Sequence, residues 1–312
     1  MSNTINSQAI QLAYPKRGKP RSKALTALVF LLPALLVYGL FNFYSIIMTL
    51  FYSTQEWSGI SANMTFIGLD NYIKLVNTPA VWHSLLNNFK LVIISLAVQL
   101  PFGMVLALII NSDRKSMKFL RTVYFMPMLL STVSTGILWQ LMYDPYFGLI
   151  NKALHAIGLG KWAQPWLGQS NTAMVATIFV ICWQYTPQYM ILLRAGMTGI
   201  PEELYEAGRI DGAGTVRQFF HITLPLLAGT IRTSAVLSIV GSLKYFDLIY
   251  VMTGGGPNGA TDVMATYMYK RGFVEFNMGY ASTVATFMLF VSLVVIISFR
   301  TMTTQRGEGG QV

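Results

Sequence analysis

Residues Pro201 to Pro225 read PEELYEAGRIDGAGTVRQFFHITLP, a polar island between two long apolar runs. Pro201 suits a first helical position, and Glu202, Glu203 and Glu206 crowd the early turns, where free N–H groups and the helix dipole favour negative charge. A helix is predicted to begin here. Asp211-Gly212-Ala213-Gly214 supplies residues that tolerate unusual backbone angles, and Thr215 with Gln218 three positions on has capping-box spacing. The stretch therefore reads as helix, tight turn, helix.

The sequence on either side sets the class. Of 312 residues, 54% are hydrophobic and 11% charged, and the mean hydropathy is +0.51. That is too little charge and too much apolar surface for an ordinary soluble domain, so the chain is predicted to be an all-α, multi-pass membrane protein. Six spans are expected, at about 24–51, 85–110, 119–143, 172–193, 226–252 and 279–299, with a basic tail over 1–23 and a polar tail over 301–312. The first run is longer than a signal-peptide core and has no cleavage pattern, so it reads as an uncleaved span kinked at Pro33. Pro127 falls near the middle of the third. Asn87, Asn88, Gln99 and Pro101 on the second suit a helix bundle better than lipid. The six spans and the segments joining them, residues 24–300, make one domain.

Charge orients the spans. The N-terminal tail holds five Lys and Arg residues, the 112–121 segment four, the Arg194–Arg232 region four and the C-terminal tail two, fifteen of the 22 in the chain. With both termini in the cytoplasm this bias satisfies the positive-inside rule, and the 201–225 loop then also lies inside. The net charge of +10 thus has a topological role and gives no reason to expect nucleic acid as a partner.

Candidate catalytic groups are sparse. Cys182 is the single cysteine, and His83, His155 and His221 are scattered without metal-ligand spacing. No HExxH, nucleophile elbow or Walker glycine loop is present, so any ATP must be bound by another chain. Polar residues at membrane depth are mostly uncharged. Gln184 and Gln188 lie one turn apart on the fourth span, with Tyr185 between them, and Ser238, Ser242 and Tyr245 share a face of the fifth. Amides, hydroxyls and aromatic rings are what a neutral sugar requires, because its hydroxyls need partners and its C–H faces need flat apolar surfaces. The same side chains can instead join helices to one another. Lys244 and Asp247, three apart, are expected to pair as a structural ion pair.

The island also resembles the cytoplasmic loop of ABC importer permeases, whose signature is Glu-Ala-Ala, three residues, Gly, nine residues, Ile, one residue, Leu-Pro. Glu206-Ala207 opens it, Gly208 replaces the second alanine, Gly212 takes the glycine, Ile222 the isoleucine, and Leu224-Pro225 closes it. Phe246-Asp247-Leu248 and Thr253-Gly254-Gly255-Gly256-Pro257 extend the likeness to carbohydrate importer permeases, over about residues 25–300. The resemblance implies a type I importer permease fold with 201–225 as a coupling loop. It assigns docking on an ATPase to Glu203, Glu206, Ala207, Gly208, Asp211, Gly212, Ala213, Ile222, Leu224 and Pro225. It implies a second, similar permease chain, two ATPase subunits holding Mg-ATP, an external solute-binding protein, a sugar substrate and a bacterial or archaeal cytoplasmic membrane. No cofactor is expected in this chain. The rival readings are an ion-coupled carrier working alone and an integral-membrane enzyme acting on a sugar-like substrate; the second lacks a pair of acids at active-site depth.

Overall fold

The computed structural model describes residues 21–111 and 115–304. Lys16, Arg17, Lys19 and Arg114 of the basic segments, and the tail from Gln305 to Val312, lie outside the described residues. Two compact units divide at Met48 and Thr49. The first contains the helix Arg21–Tyr38 with Pro33 inside it, followed by a π-helical segment, Gly39–Tyr44. No side chain from Leu25 to Met48 is buried. An apolar surface on all sides is the composition of a helix made for lipid.

The second unit holds the rest. Pro79 begins its first long helix, as suits a residue with no N–H to satisfy, and the helix continues to Ile109 through a π-helical turn at Ser95–Gln99. It starts six residues before the expected Leu85. The expected third span is two helices, Lys115–Leu129 and Thr132–Met142, bent by 96°. The helix runs on through Pro127 to Leu129, and the break falls at Leu130 and Ser131. The fourth helix is continuous from Ser170 to Thr198 and carries Pro187. Among the described residues three helices are long and apolar enough to cross a membrane, or five if each bent pair counts as one span. The fourth helix is not among them. Its polar residues are tolerated because protein surrounds much of it, with Thr177, Gln184 and Thr186 buried.

The expected fifth span is likewise divided. The helical stretch Thr215–Leu226 meets Ala228–Leu243 at a 67° bend, and helix Asp247–Thr253 is separate. Lys244 and Asp247 consequently do not pair: the break removes the helical spacing on which that expectation rested. The ion pairs among the described residues are Lys270–Asp262, at 2.9 Å, and Arg271–Glu275. Outside the helices, Gln55–Glu56 and Thr65–Phe66 add a short antiparallel ladder, which the all-α expectation omitted. Met278–Thr304 is the last helix.

Amide side chains hold the breaks together. Asn88, fully buried, donates through Nδ2 to the carbonyls of Ser242 at 2.9 Å and Leu243 at 3.3 Å, and its Oδ1 accepts the Met264 N–H at 2.9 Å. Asn87 donates to Ala260 O and Asp262 O, at 3.0 and 2.8 Å, and Gln140 donates to Val251 O and Met252 O at 2.9 and 3.0 Å. A helix that stops inside a membrane leaves carbonyls with no water to bond, so each amide removes a cost of order 1–3 kcal/mol per group.

Asn88→Leu keeps the volume and deletes all three bonds. We expect it to lower stability by about 2–4 kcal/mol, read as a lower thermal unfolding midpoint of the purified chain. Leu86→Ala, at a half-exposed position on the same helix, should change it by less than about 1 kcal/mol.

Candidate functional site

The 201–225 segment folds as helix Glu202–Ile210, a turn, and helix Thr215–Gln218 leading into a π-helical segment, Phe219–Thr223. Pro201 is the residue before the helix and not its first. At the turn Gly212 has φ +75°, a left-handed conformation that costs any side chain with a Cβ. Ala213 N–H closes the first helix on Gly208 O at 2.8 Å. The capping box is absent. Gly214 precedes the second helix without a side-chain cap, and Gln218 instead donates back across the turn to Ala213 O, at 3.1 Å, and Tyr205 O, at 3.4 Å.

The hairpin has two faces. Glu203, Glu206, Ala207, Asp211, Gly212 and Pro225 are exposed, whereas Gly208, Ala213, Ile222 and Leu224 are half-buried. A Cβ on Gly208 would stand 3.1 Å from Ile222 Cδ1, so the small residue and the isoleucine of the signature are packing partners. Tyr205 Oη and Thr223 Oγ1, 2.9 Å apart, add a polar tie. Ile200, Phe219 and Leu224 then rest on a buried cluster that includes Leu193, Met197 and Leu227. The outer face also carries apolar side chains that charge-based reading missed: Ile210 is 86% and Val216 71% exposed.

Further along the same two helices lies a cavity of about 290 Å³. The fourth helix supplies Tyr185 and Gln188, the fifth supplies Ser238 and Ser242, and the break beyond the fifth supplies Tyr245. Ser95 and Gln99, from the π-helical turn of the Pro79–Ile109 helix, complete the wall; the sequence reading assigned Gln99 only to helix packing and did not single out Ser95. Ser242 Oγ donates to Ser95 Oγ at 3.2 Å, and the rings of Tyr185 and Tyr245 meet edge to face at 5.9 Å. The hydroxyls of Ser238 and Tyr245 are buried without a partner. Gln184 is not part of the lining: its Nε2 donates to Leu130 O at 3.2 Å and Thr135 Oγ1 at 3.4 Å, bonding the carbonyl freed where the third span bends. A larger groove of about 820 Å³ between the second, third and fourth spans is almost wholly apolar and offers no comparable set of hydrogen-bonding groups.

Broken membrane helices around a hydrogen-bonding interior, joined to a helical hairpin at one end, are the architecture of a membrane transport component. The chain belongs to the binding-protein-dependent transport system inner membrane components, whose family model matches residues 99–306. It is 40% identical to the probable ABC transporter permease protein YurN of Bacillus subtilis over 85% of this chain and 91% of that one. It is 32% identical to the trehalose/maltose transport system permease protein MalF of Thermococcus litoralis, over 86% and 90%. Its fold is that of a chain in a bacterial alginate ABC transporter, solved in complex with an alginate pentasaccharide-bound periplasmic protein. The TM-score is 0.81 at 24% identity, over 91% of this chain and 96% of that one.

Gly208→Val is expected to force Ile222 off the first hairpin helix and to speed hydrogen exchange of the 205–223 amides about tenfold, a loss of about 1.4 kcal/mol. Adding Ile222→Ala should recover part of that protection, because the two side chains compete for one space.

Proposed function

We propose that this chain is one of two similar permease subunits of a sugar importer, working with two ATPase subunits and an external solute-binding protein. The observation that carries the reading is the pairing of cavity and hairpin on the same two helices. Tyr185 and Gln188 precede the hairpin on the fourth helix, and Ser238, Ser242 and Tyr245 follow it on and after the fifth. A displacement of the hairpin is therefore passed to the cavity wall without an intervening element.

The cavity suits a neutral sugar. Ser238 and Tyr245 offer hydroxyls with no partner, Gln188 an amide and Tyr185 a ring, so hydrogen bonds and stacking surface converge within about 290 Å³. The trehalose/maltose permease and the alginate transporter, which handle carbohydrates by name, support this class. Gln184 acts as a positioning residue that holds the bend at Leu130.

Docking on the ATPase falls to the exposed face: Glu203, Glu206, Ala207, Asp211 and Gly212, with Ile210 and Val216 as apolar contacts. Gly208, Ala213, Ile222 and Leu224 keep the hairpin rigid, and Pro225 sits in the short helix Leu224–Leu226 that turns the chain back into the membrane. Mg-ATP is bound by the partner subunits, whose closure moves the hairpin and exposes the cavity to each side in turn. Six crossings, counting the polar fourth helix as one, put the hairpin and both termini in the cytoplasm, in agreement with the distribution of Lys and Arg.

Two measurements test the proposal on the importer reconstituted with its partners. Gly212→Val is expected to cut ATP-driven sugar uptake at least tenfold while the assembly still purifies intact; full uptake would reject the docking role. Ser238→Ala with Tyr245→Phe removes both free hydroxyls and is expected to reduce uptake of the preferred sugar about tenfold, mainly as a higher half-saturating concentration. Uptake driven by an ion gradient without any ATPase would overturn the reading altogether.

A further inference from the structure

The cavity between the fourth and fifth helices has a charged, open edge. Among its lining residues Leu237, Gly241, Lys244 and Asp247 are exposed, whereas Ser238 and Ser242 are buried. Lys244 directly follows the helix Ala228–Leu243, and Asp247 begins the helix Asp247–Thr253, so both charges stand at one break in the chain. They are the charged members of the lining, one of each sign. Neither is in an ion pair among the described residues.

A purely structural charge would be used up by its neighbours, as happens a few residues further on. Lys270 Nζ bonds both carboxylate oxygens of Asp262 at 2.9 Å, Thr266 Oγ1 adds a bond to Asp262 at 3.0 Å, and Arg271 pairs with Glu275. Lys244 and Asp247 have no such network, although only two residues separate them. Left unpaired on the wall of a cavity, they act on whatever enters it. Water screens a charge poorly beside protein, where the effective dielectric constant is about 20, so one unit charge several Å away changes the occupancy of a charged guest about tenfold. Opposite charges on one edge cancel for a guest that spans both. A guest with hydroxyls loses nothing by this, because Asp247 accepts hydrogen bonds from them and Lys244 donates to them.

We infer that Lys244 and Asp247 are specificity-determining residues that balance the charge of the cavity, so that it takes sugars without net charge and disfavours both uronic acids and amino sugars. The inference rests on the sugar-importer reading and adds to it which residues enforce neutrality. Asp247 opposes an anionic sugar, Lys244 a cationic one, and removal of either leaves the other uncompensated.

The test reads the charge of the cavity in the complete importer. Cys182→Ser leaves this chain without a cysteine, and Gly241→Cys puts a thiol on the exposed edge, at a position where an added Cβ meets nothing within 4 Å. Modification of that thiol by an anionic and by a cationic methanethiosulfonate is timed by mass spectrometry of this chain, each rate being divided by that of a free thiol in solution. The two normalised rates are expected to agree within about threefold. Asp247→Asn should favour the anionic reagent about tenfold, Lys244→Gln the cationic reagent about tenfold, and the double variant should return to parity. Leu237→Cys, one turn back, should give the same pattern. Ratios unmoved by either substitution overturn the inference, as does a thiol at both positions that even a neutral reagent cannot reach. Selectivity is read as protection of the thiol from a neutral reagent by the sugar that the wild-type importer takes up, compared with its uronic and amino counterparts. The neutral sugar should protect best in wild type, the uronic acid should gain about tenfold in Asp247→Asn, and the amino sugar about tenfold in Lys244→Gln. Equal protection by all three in wild type overturns the selectivity. If wild type takes up no sugar, the importer reading fails, while the reagent ratios still report the charge balance, so the two failures are told apart.

Discussion

The structure depends on one constraint: a backbone that stops being helical inside a membrane must find partners within the protein. Asn88 meets it at the most demanding point. A single buried amide bonds the last carbonyls of the Ala228–Leu243 helix and the N–H that opens the Met264–Tyr269 helix. Asn87, Gln140 and Gln184 do the same at neighbouring breaks. Four amides from three helices thus permit a chain full of bends to keep a defined shape, and the bends are what create a cavity.

That geometry links the two working parts. The helices Ser170–Thr198 and Ala228–Leu243 leave the hairpin on either side and rise to the cavity, the second over 16 residues, a length of about 24 Å. Leu227, fully buried at the 67° bend, seats the hairpin's return against Leu193 and Met197. Packed side chains of this kind transmit displacement because interiors have few voids to absorb it. Gly208 contributes by letting Ile222 close on the first hairpin helix, so the hairpin moves as one body.

The polar residues at membrane depth divide by what the backbone near them needs. Where a carbonyl is left free by a bend, as at Leu130, Leu243 and Val251, an amide is consumed in bonding it. The Ser238 hydroxyl, on an unbroken length of helix, and that of Tyr245, in the break just beyond it, stay unpartnered and face a cavity. Gln184 and Gln188, one turn apart with the same chemistry, fall on opposite sides of this division.

Composition and periodicity alone determined the membrane class, the approximate position of the apolar runs, the helix-turn-helix at 201–225 and the face shared by Ser238 and Ser242, whereas Tyr245 reaches the same cavity from beyond the helix end. These are local properties: hydrophobic length, the need for glycine at Gly212, and a repeat that places i and i+4 together. Only the tertiary structure decided where spans break, because Leu130 and Lys244 carry no Pro or Gly signal and their bends persist through amides that lie far away in sequence. It likewise dissolved the expected Lys244–Asp247 pair, moved Gln184 from the cavity to a bend, and brought Ser95 and Gln99 to the cavity wall. Each of those outcomes is set by a partner more than forty residues distant or by a break between neighbours, and neither is written in local spacing.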